Sequence, residues 1–155
     1  MVIRSRERIG GIMTSSSGMY RILNDGTPPV GISYTRPAWQ QVFLGGPVIG
    51  WAVRRVDSKV YSLDIGGYPY TGVVDGNLIA TIQQEQEQDQ DWLIQYQEAQ
   101  DAYTITSSSD PSLCWTVESS DSAESIVTVK PLISTKSIPP QYLPSQLWRL
   151  ESMVE

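Results

Sequence analysis

Three triplets of one pattern, Tyr20-Arg21-Ile22, Tyr61-Ser62-Leu63 and Tyr103-Thr104-Ile105, recur 41 and 42 residues apart. A recurrence at one period in a single chain points to one supersecondary unit used several times. Each triplet alternates aromatic, polar and aliphatic, which sets Tyr and Ile or Leu on one face of a strand. Tryptophan gives a second ruler: Trp51 and Trp92 are 41 residues apart, each about ten residues before a tyrosine, and Trp148-Arg149-Leu150 supplies a third copy near the end. Tyr20 has no tryptophan before it and Trp148 no tyrosine after it, so pairing the last strand with the first closes the series into a ring.

Turn punctuation divides the rest into short strands, with no convincing helical period after Met19. Strands are predicted near 19–23, 30–34, 40–44, 50–56, 60–64, 70–74, 77–82, 91–97, 102–106, 113–117, 126–130 and 146–151. Asp75-Gly76-Asn77 between two apolar runs is the strongest hairpin signal. Gln83 to Gln90 carries no apolar residue and reads as a solvated connection, Glu118 to Ser125 as a polar loop, and Ser134 to Ser145, with Pro139, Pro140 and Pro144, as a stiff extended crossing. Residues 1–17 read as a flexible arm and 18–155 as one domain. Three units of four strands predict an all-β chain, a β-trefoil: a six-stranded barrel closed by a cap of three hairpins, with no free sheet edge. Tyr20, Tyr61 and Tyr103 with Ile22, Leu63 and Ile105 then form symmetry-related core layers, and Trp51, Trp92 and Trp148 plug the barrel.

Composition removes whole classes of function. The sequence contains no histidine, which excludes Ser-His-Asp and Cys-His catalysis and any zinc site that uses His. A net charge of −6 argues against nucleic acid as a partner. Asp57, Asp64, Asp75 and Asp101 are the best-placed carboxylates for acid-base work, and their neighbours favour turn roles instead. The single cysteine, Cys114, sits in Leu113-Cys114-Trp115 and reads as a small buried hydrophobe. No apolar run spans a bilayer and the N-terminus lacks a signal-peptide core, so a cytoplasmic protein is expected, a monomer without membrane contact, cofactor or metal.

Several stretches carry a family resemblance: Val74-Asp75-Gly76-Asn77-Leu78-Ile79-Ala80, Asp91-Trp92-Leu93-Ile94-Gln95, Asp101-Ala102-Tyr103-Thr104-Ile105, Val129-Lys130-Pro131-Leu132-Ile133, Ile138-Pro139-Pro140 and Gln146-Leu147-Trp148-Arg149-Leu150. Over roughly Gly18 to Glu151 the chain resembles the mushroom serine-protease inhibitors of the cospin and clitospin type. The resemblance implies a fungal, intracellular, disulfide-free β-trefoil of defensive or regulatory role. It implies no enzyme, but a protein that blocks trypsin-like serine proteases with one surface loop, between the second and third strands.

That loop maps onto Thr35, Arg36, Pro37, Ala38, Trp39 and Gln40. Arg36 is a long cation suited to an acid-floored specificity pocket, and its place before Pro37 biases its backbone toward extended angles. Lys59, in the tight Asp57-Ser58-Lys59 turn, is a secondary candidate. Two alternatives stay open. One is a carbohydrate-binding trefoil lectin, since Gln90-Asp91-Trp92 and Gln146-Leu147-Trp148 match a lectin marker and Tyr68 and Tyr70 beside Asp64 offer a sugar platform. The other is a cysteine-protease inhibitor of the mycocypin type, acting through Gly26 with Pro28-Pro29 or through Gly45-Gly46-Pro47.

Overall fold

The computed structural model describes residues 17–83, 91–118 and 125–153. The N-terminal arm up to Ser16, most of the Gln-rich connection and most of the polar loop after Glu118 lie outside the described residues. Among the described residues thirteen strands are formed: β1 (Ser17–Asn24), β2 (Val30–Gly31), β3 (Trp39–Gln41), β4 (Phe43–Leu44), β5 (Trp51–Asp57), β6 (Val60–Ile65), β7 (Tyr70–Val74), β8 (Asn77–Thr81), β9 (Trp92–Gln97), β10 (Ala102–Ser107), β11 (Leu113–Val117), β12 (Val127–Pro131) and β13 (Trp148–Ser152).

Six of them close a barrel by antiparallel pairing, in the order β1, β5, β6, β9, β10, β13 and back to β1. The return is made by five paired positions from Tyr20↔Ser152 to Asn24↔Trp148. The tyrosine and tryptophan rulers meet in this ring: Tyr20 stands opposite Trp51, Tyr61 opposite Trp92 and Tyr103 opposite Trp148. Three hairpins, β2–β4, β7–β8 and β11–β12, form the cap. The chain is therefore a β-trefoil, with every barrel edge paired.

The core follows the alternation in the sequence. Ile22, Leu63 and Ile105 are fully buried, Tyr61 and Tyr103 nearly so, and Tyr20 packs against them half-buried. Trp51, Trp92 and Trp148 are sealed, and each indole N–H finds an acceptor on the second strand of a repeat: the Val30 carbonyl at 3.1 Å, Thr71 Oγ1 at 2.7 Å and the Trp115 carbonyl at 3.0 Å. A fourth tryptophan, Trp115, sits at the middle of the three, with ring centroids at 5.7, 5.6 and 5.8 Å.

Three sequence expectations change. The strand expected over 40–44 is two strands, because Val42 turns its backbone to other partners. Its N–H donates to the Leu78 carbonyl at 3.1 Å and its carbonyl accepts from Val127 at 2.9 Å. Asp64 lies within β6 rather than in a turn, half-buried opposite Ala52. Ser134–Ser145 does not cross the molecule. It runs out and folds back on itself, Ser134 pairing with Tyr142, before a single 3-10 turn at Pro144–Gln146 leads into β13.

Candidate functional site

The loop between β2 and β3 starts from a close backbone contact. Gly31 and Gly46 lie face to face, and a Cβ on Gly46 would stand 2.7 Å from the Gly31 carbonyl carbon. Only residues without side chains permit that approach. From this base the chain emerges, and Tyr34 through Trp39 are all exposed, with Tyr34 75% and Trp39 47% accessible.

Although exposed, the loop is braced. Gln40, half-buried at its end, uses its side-chain amide fully: Oε1 accepts from the Ser33 N–H and from Ser33 Oγ, both at 2.9 Å, while Nε2 donates to the Thr35 carbonyl and to Tyr68 Oη, both at 3.1 Å. The Tyr68 hydroxyl in turn donates to the Pro37 carbonyl at 2.7 Å, and the Ala38 carbonyl accepts from Ile82 N–H at 3.0 Å. Acceptors and donors placed in this way hold the backbone from Thr35 to Ala38 without covalent staples.

Arg36 is exposed but lies down. Its Nη1 donates to the Gly66 carbonyl, and its guanidinium carbon sits 5.1 Å from the centroid of the Tyr68 ring. Such a cation–π contact contributes about 0.5–1 kcal/mol at an exposed site, a cost Arg36 must offset to reach into a partner's pocket. The structure thus gathers all of Thr35, Arg36, Pro37, Ala38, Trp39 and Gln40 into one loop, with Gln40 as its internal brace. Lys59 stands apart, exposed in the β5–β6 turn at φ 64°, its carbonyl accepting from Ile94 N–H at 3.0 Å.

Other sequence candidates find structural roles. Tyr68 is 1% exposed, so the sugar platform expected of Tyr68 and Tyr70 beside Asp64 is not presented; sequence alone did not show that Tyr68 is the loop's support. Burial raises the Asp64 carboxyl above its ordinary range, with Arg54 pulling the other way. Asp75 and Asp101 occupy turns at φ 53°, and Asp57 accepts from the Ser58 N–H at 2.7 Å. In Gly45-Gly46-Pro47, Gly46 is buried against Gly31 and Ile32, while Gly45 and Pro47 are exposed. Among the described residues no group of His, Cys, Asp or Glu is arranged to hold a metal ion, and no helix is long and apolar enough to cross a membrane.

Cys114 is buried, its thiol near the carbonyls of Trp115 at 3.3 Å and Gln146 at 3.8 Å, and burial pushes its pKa up to about 12. The native thiol is accordingly expected to resist a thiol reagent at pH 8, whereas the chain in denaturant reacts promptly. Fast labelling of native protein sinks this reading. The linkage has a definite sign: between the unfolded value near 9 and about 12 only the folded thiol keeps its proton, so stability falls as pH rises through that window.

The model of peptidase inhibitor I66 matches residues 40–152, most of the described β-trefoil. The chain belongs to the peptidase inhibitor I66 family. As an I66 member it is an inhibitor rather than an enzyme, and its partner is a protease. Among solved structures this I66 chain is similar to the proteinase inhibitor from Coprinopsis cinerea, at 24% identity and TM-score 0.72, over 90% of this chain and 100% of that one. A Polyporus squamosus lectin bound to a sialylated epitope shares the fold at 15% identity and TM-score 0.66, over 90% of this chain and 50% of that one. So does the cytolethal distending toxin of Actinobacillus actinomycetemcomitans, at 13% identity and TM-score 0.67, over 89% and 94% of the two chains. No curated protein matches the sequence. These likenesses show the fold alone, since one fold can host unrelated functions.

Proposed function

We propose that this I66 inhibitor blocks trypsin-like serine proteases by laying the Thr35–Gln40 loop in the protease cleft. The observation that carries the reading is a braced loop with an aromatic residue exposed at each end, Tyr34 and Trp39, and a cation between them. Exposed aromatics and arginine are the residue types that anchor protein interfaces. Arg36 exchanges the Gly66 carbonyl and the Tyr68 face for the acidic floor of the specificity pocket. The supports at Thr35 and Pro37 lower the ordering cost of binding, and an interface of about 1,600 Å² excludes substrate.

Trypsin, chymotrypsin, subtilisin, papain and legumain assayed side by side test the class. Inhibition of trypsin with papain and legumain left active is expected; full activity of all three serine proteases at micromolar protein removes the serine-protease reading. Arg36→Ala is expected to weaken trypsin inhibition, and Lys59→Ala to leave it at wild-type strength. Wild-type inhibition by Arg36→Ala counts against the loop.

A further inference from the structure

The segment between β12 and β13 forms a second exposed loop, closed more tightly than the first. Ser134 pairs with Tyr142 at its base, and the Thr135 N–H donates to the Gln141 carbonyl at 2.8 Å. Inside it the hydroxyls run in one direction. Gln141 N–H donates to Thr135 Oγ1 at 3.0 Å, and Ser137 Oγ donates to the Pro139 carbonyl at 2.9 Å. Ser137 has thereby used its proton, so the 2.6 Å contact between the two hydroxyls is a donation from Thr135 to Ser137. This relay fixes the residues on both sides of Lys136 from within.

Both feet of the loop are held by amides from the body. Gln100 accepts from the Tyr142 N–H at 2.8 Å and donates to the Tyr142 carbonyl at 3.0 Å. Gln146, 1% exposed, accepts from the Ile133 N–H at 3.0 Å and donates to the Pro131 carbonyl at 2.9 Å and Thr116 Oγ1 at 3.1 Å. Pro139 and Pro140 further limit the backbone.

What this frame displays is an exposed bend, the backbone curving through Lys136–Pro139. The hydroxyls of Thr135 and Ser137 are engaged within the loop, while Lys136 and Ile138 are exposed, Ile138 at 98%. Unlike Arg36, Lys136 has no hydrogen bond or ion pair on its side chain among the described residues. The residue after it is Ser137, whose amide N–H is intact, whereas Pro37 after Arg36 has none. A free lysine with an ordinary peptide bond after it, held on an exposed loop already ordered by hydrogen bonds, is what a lysine-selective protease cleft can engage.

We propose that Ser134–Tyr142 is a second protease-binding loop, in which Lys136 enters the acid-floored specificity pocket of a trypsin-like serine protease. The proposal rests on the trypsin-like reading above, but not on the Thr35–Gln40 loop. Ile138 supplies the apolar contact beyond the pocket, and the hydroxyl relay removes most of the ordering cost before binding.

The full chain, Arg36→Ala, Lys136→Ala and the double variant are titrated against trypsin, and Lys136→Phe against chymotrypsin. Arg36→Ala is expected to keep a trypsin site, which adding Lys136→Ala weakens roughly a thousandfold, the scale of a hot-spot anchor. Lys136→Phe is expected to gain inhibition of chymotrypsin, whose pocket is a hydrophobic slot; a misfolded variant cannot show that gain. Lys136→Ala alone separates the two loops. Total loss supports this loop and removes Thr35–Gln40, partial loss supports both, and wild-type inhibition overturns this one. No trypsin inhibition by the unaltered chain overturns it as well.

Discussion

Trp115→Ala is expected to destabilise the protein by about 3–5 kcal/mol, the range for removing a large aromatic from a sealed core. Trp115 is fully buried and touches all three tryptophans of the repeat, two of them edge to face. Removing its ring leaves a cavity walled by Trp51, Trp92 and Trp148, rigid neighbours that cannot collapse into it. The Trp115 carbonyl that accepts from Trp148 is backbone and survives the change. Its own indole N–H has no hydrogen-bond partner among the described residues, so the loss is one of packing alone. In a domain of this size the melting temperature should fall by roughly 10 °C. Trp39→Ala, at a half-exposed position, should stay near wild type. Denaturant unfolding of both variants is the measurement, and a Trp115→Ala unfolding free energy within about 1 kcal/mol of wild type, on the order of a surface change, would falsify the central role of this ring.

Gly31→Ala should cost about 3 kcal/mol, the upper end for overpacking, because the obstacle is backbone. A Cβ there would lie 2.0 Å from the Val48 carbonyl oxygen, the atom that accepts from Ile32 N–H at 3.0 Å. The methyl group therefore has to push apart the Ile32–Val48 bridge from which the Thr35–Gln40 loop rises. Stability and loop geometry change together, and inhibition through that loop should weaken even at temperatures where the chain stays folded. Gly76→Ala is the comparison: its Cβ meets nothing within 4 Å and only the φ of +78° opposes it. If Gly31→Ala proves no worse than Gly76→Ala in denaturant, the close backbone contact does not carry the weight assigned to it.

The barrel was legible because it is periodic. Tyr20, Tyr61 and Tyr103 and their tryptophans repeat at a spacing that only a threefold arrangement explains, and they stand opposite one another in the ring as that spacing requires. Trp115 was not legible as the centre of the core, since Leu113-Cys114-Trp115 has no counterpart in the other repeats. The split at Val42 was hidden for a similar reason: nothing within Gln40-Gln41-Val42-Phe43-Leu44 marks a break, and only Leu78 and Val127, distant in sequence, draw its backbone aside.

The candidate sites show the same division. Sequence identified Thr35–Gln40 as a loop with a cation before a proline, but the posture of Arg36 depends on Tyr68 and Gly66, thirty residues on. Three prolines in Ser134–Ser145 announced stiffness and not direction. Lys136, between two hydroxyl residues and followed by Ile-Pro-Pro, was the available signal there, and its meaning rests on whether the segment crosses or returns.

By itself, then, the sequence determined what local chemistry and period can determine: short strands, their threefold repetition, the apolar face of each, and the absence of histidine chemistry. Tertiary structure alone decided which loops are braced and which cation is free. Those outcomes depend on hydrogen bonds between the side chains of Gln40, Tyr68, Gln100 and Gln146 and backbone atoms that meet them only when the barrel and its cap have closed.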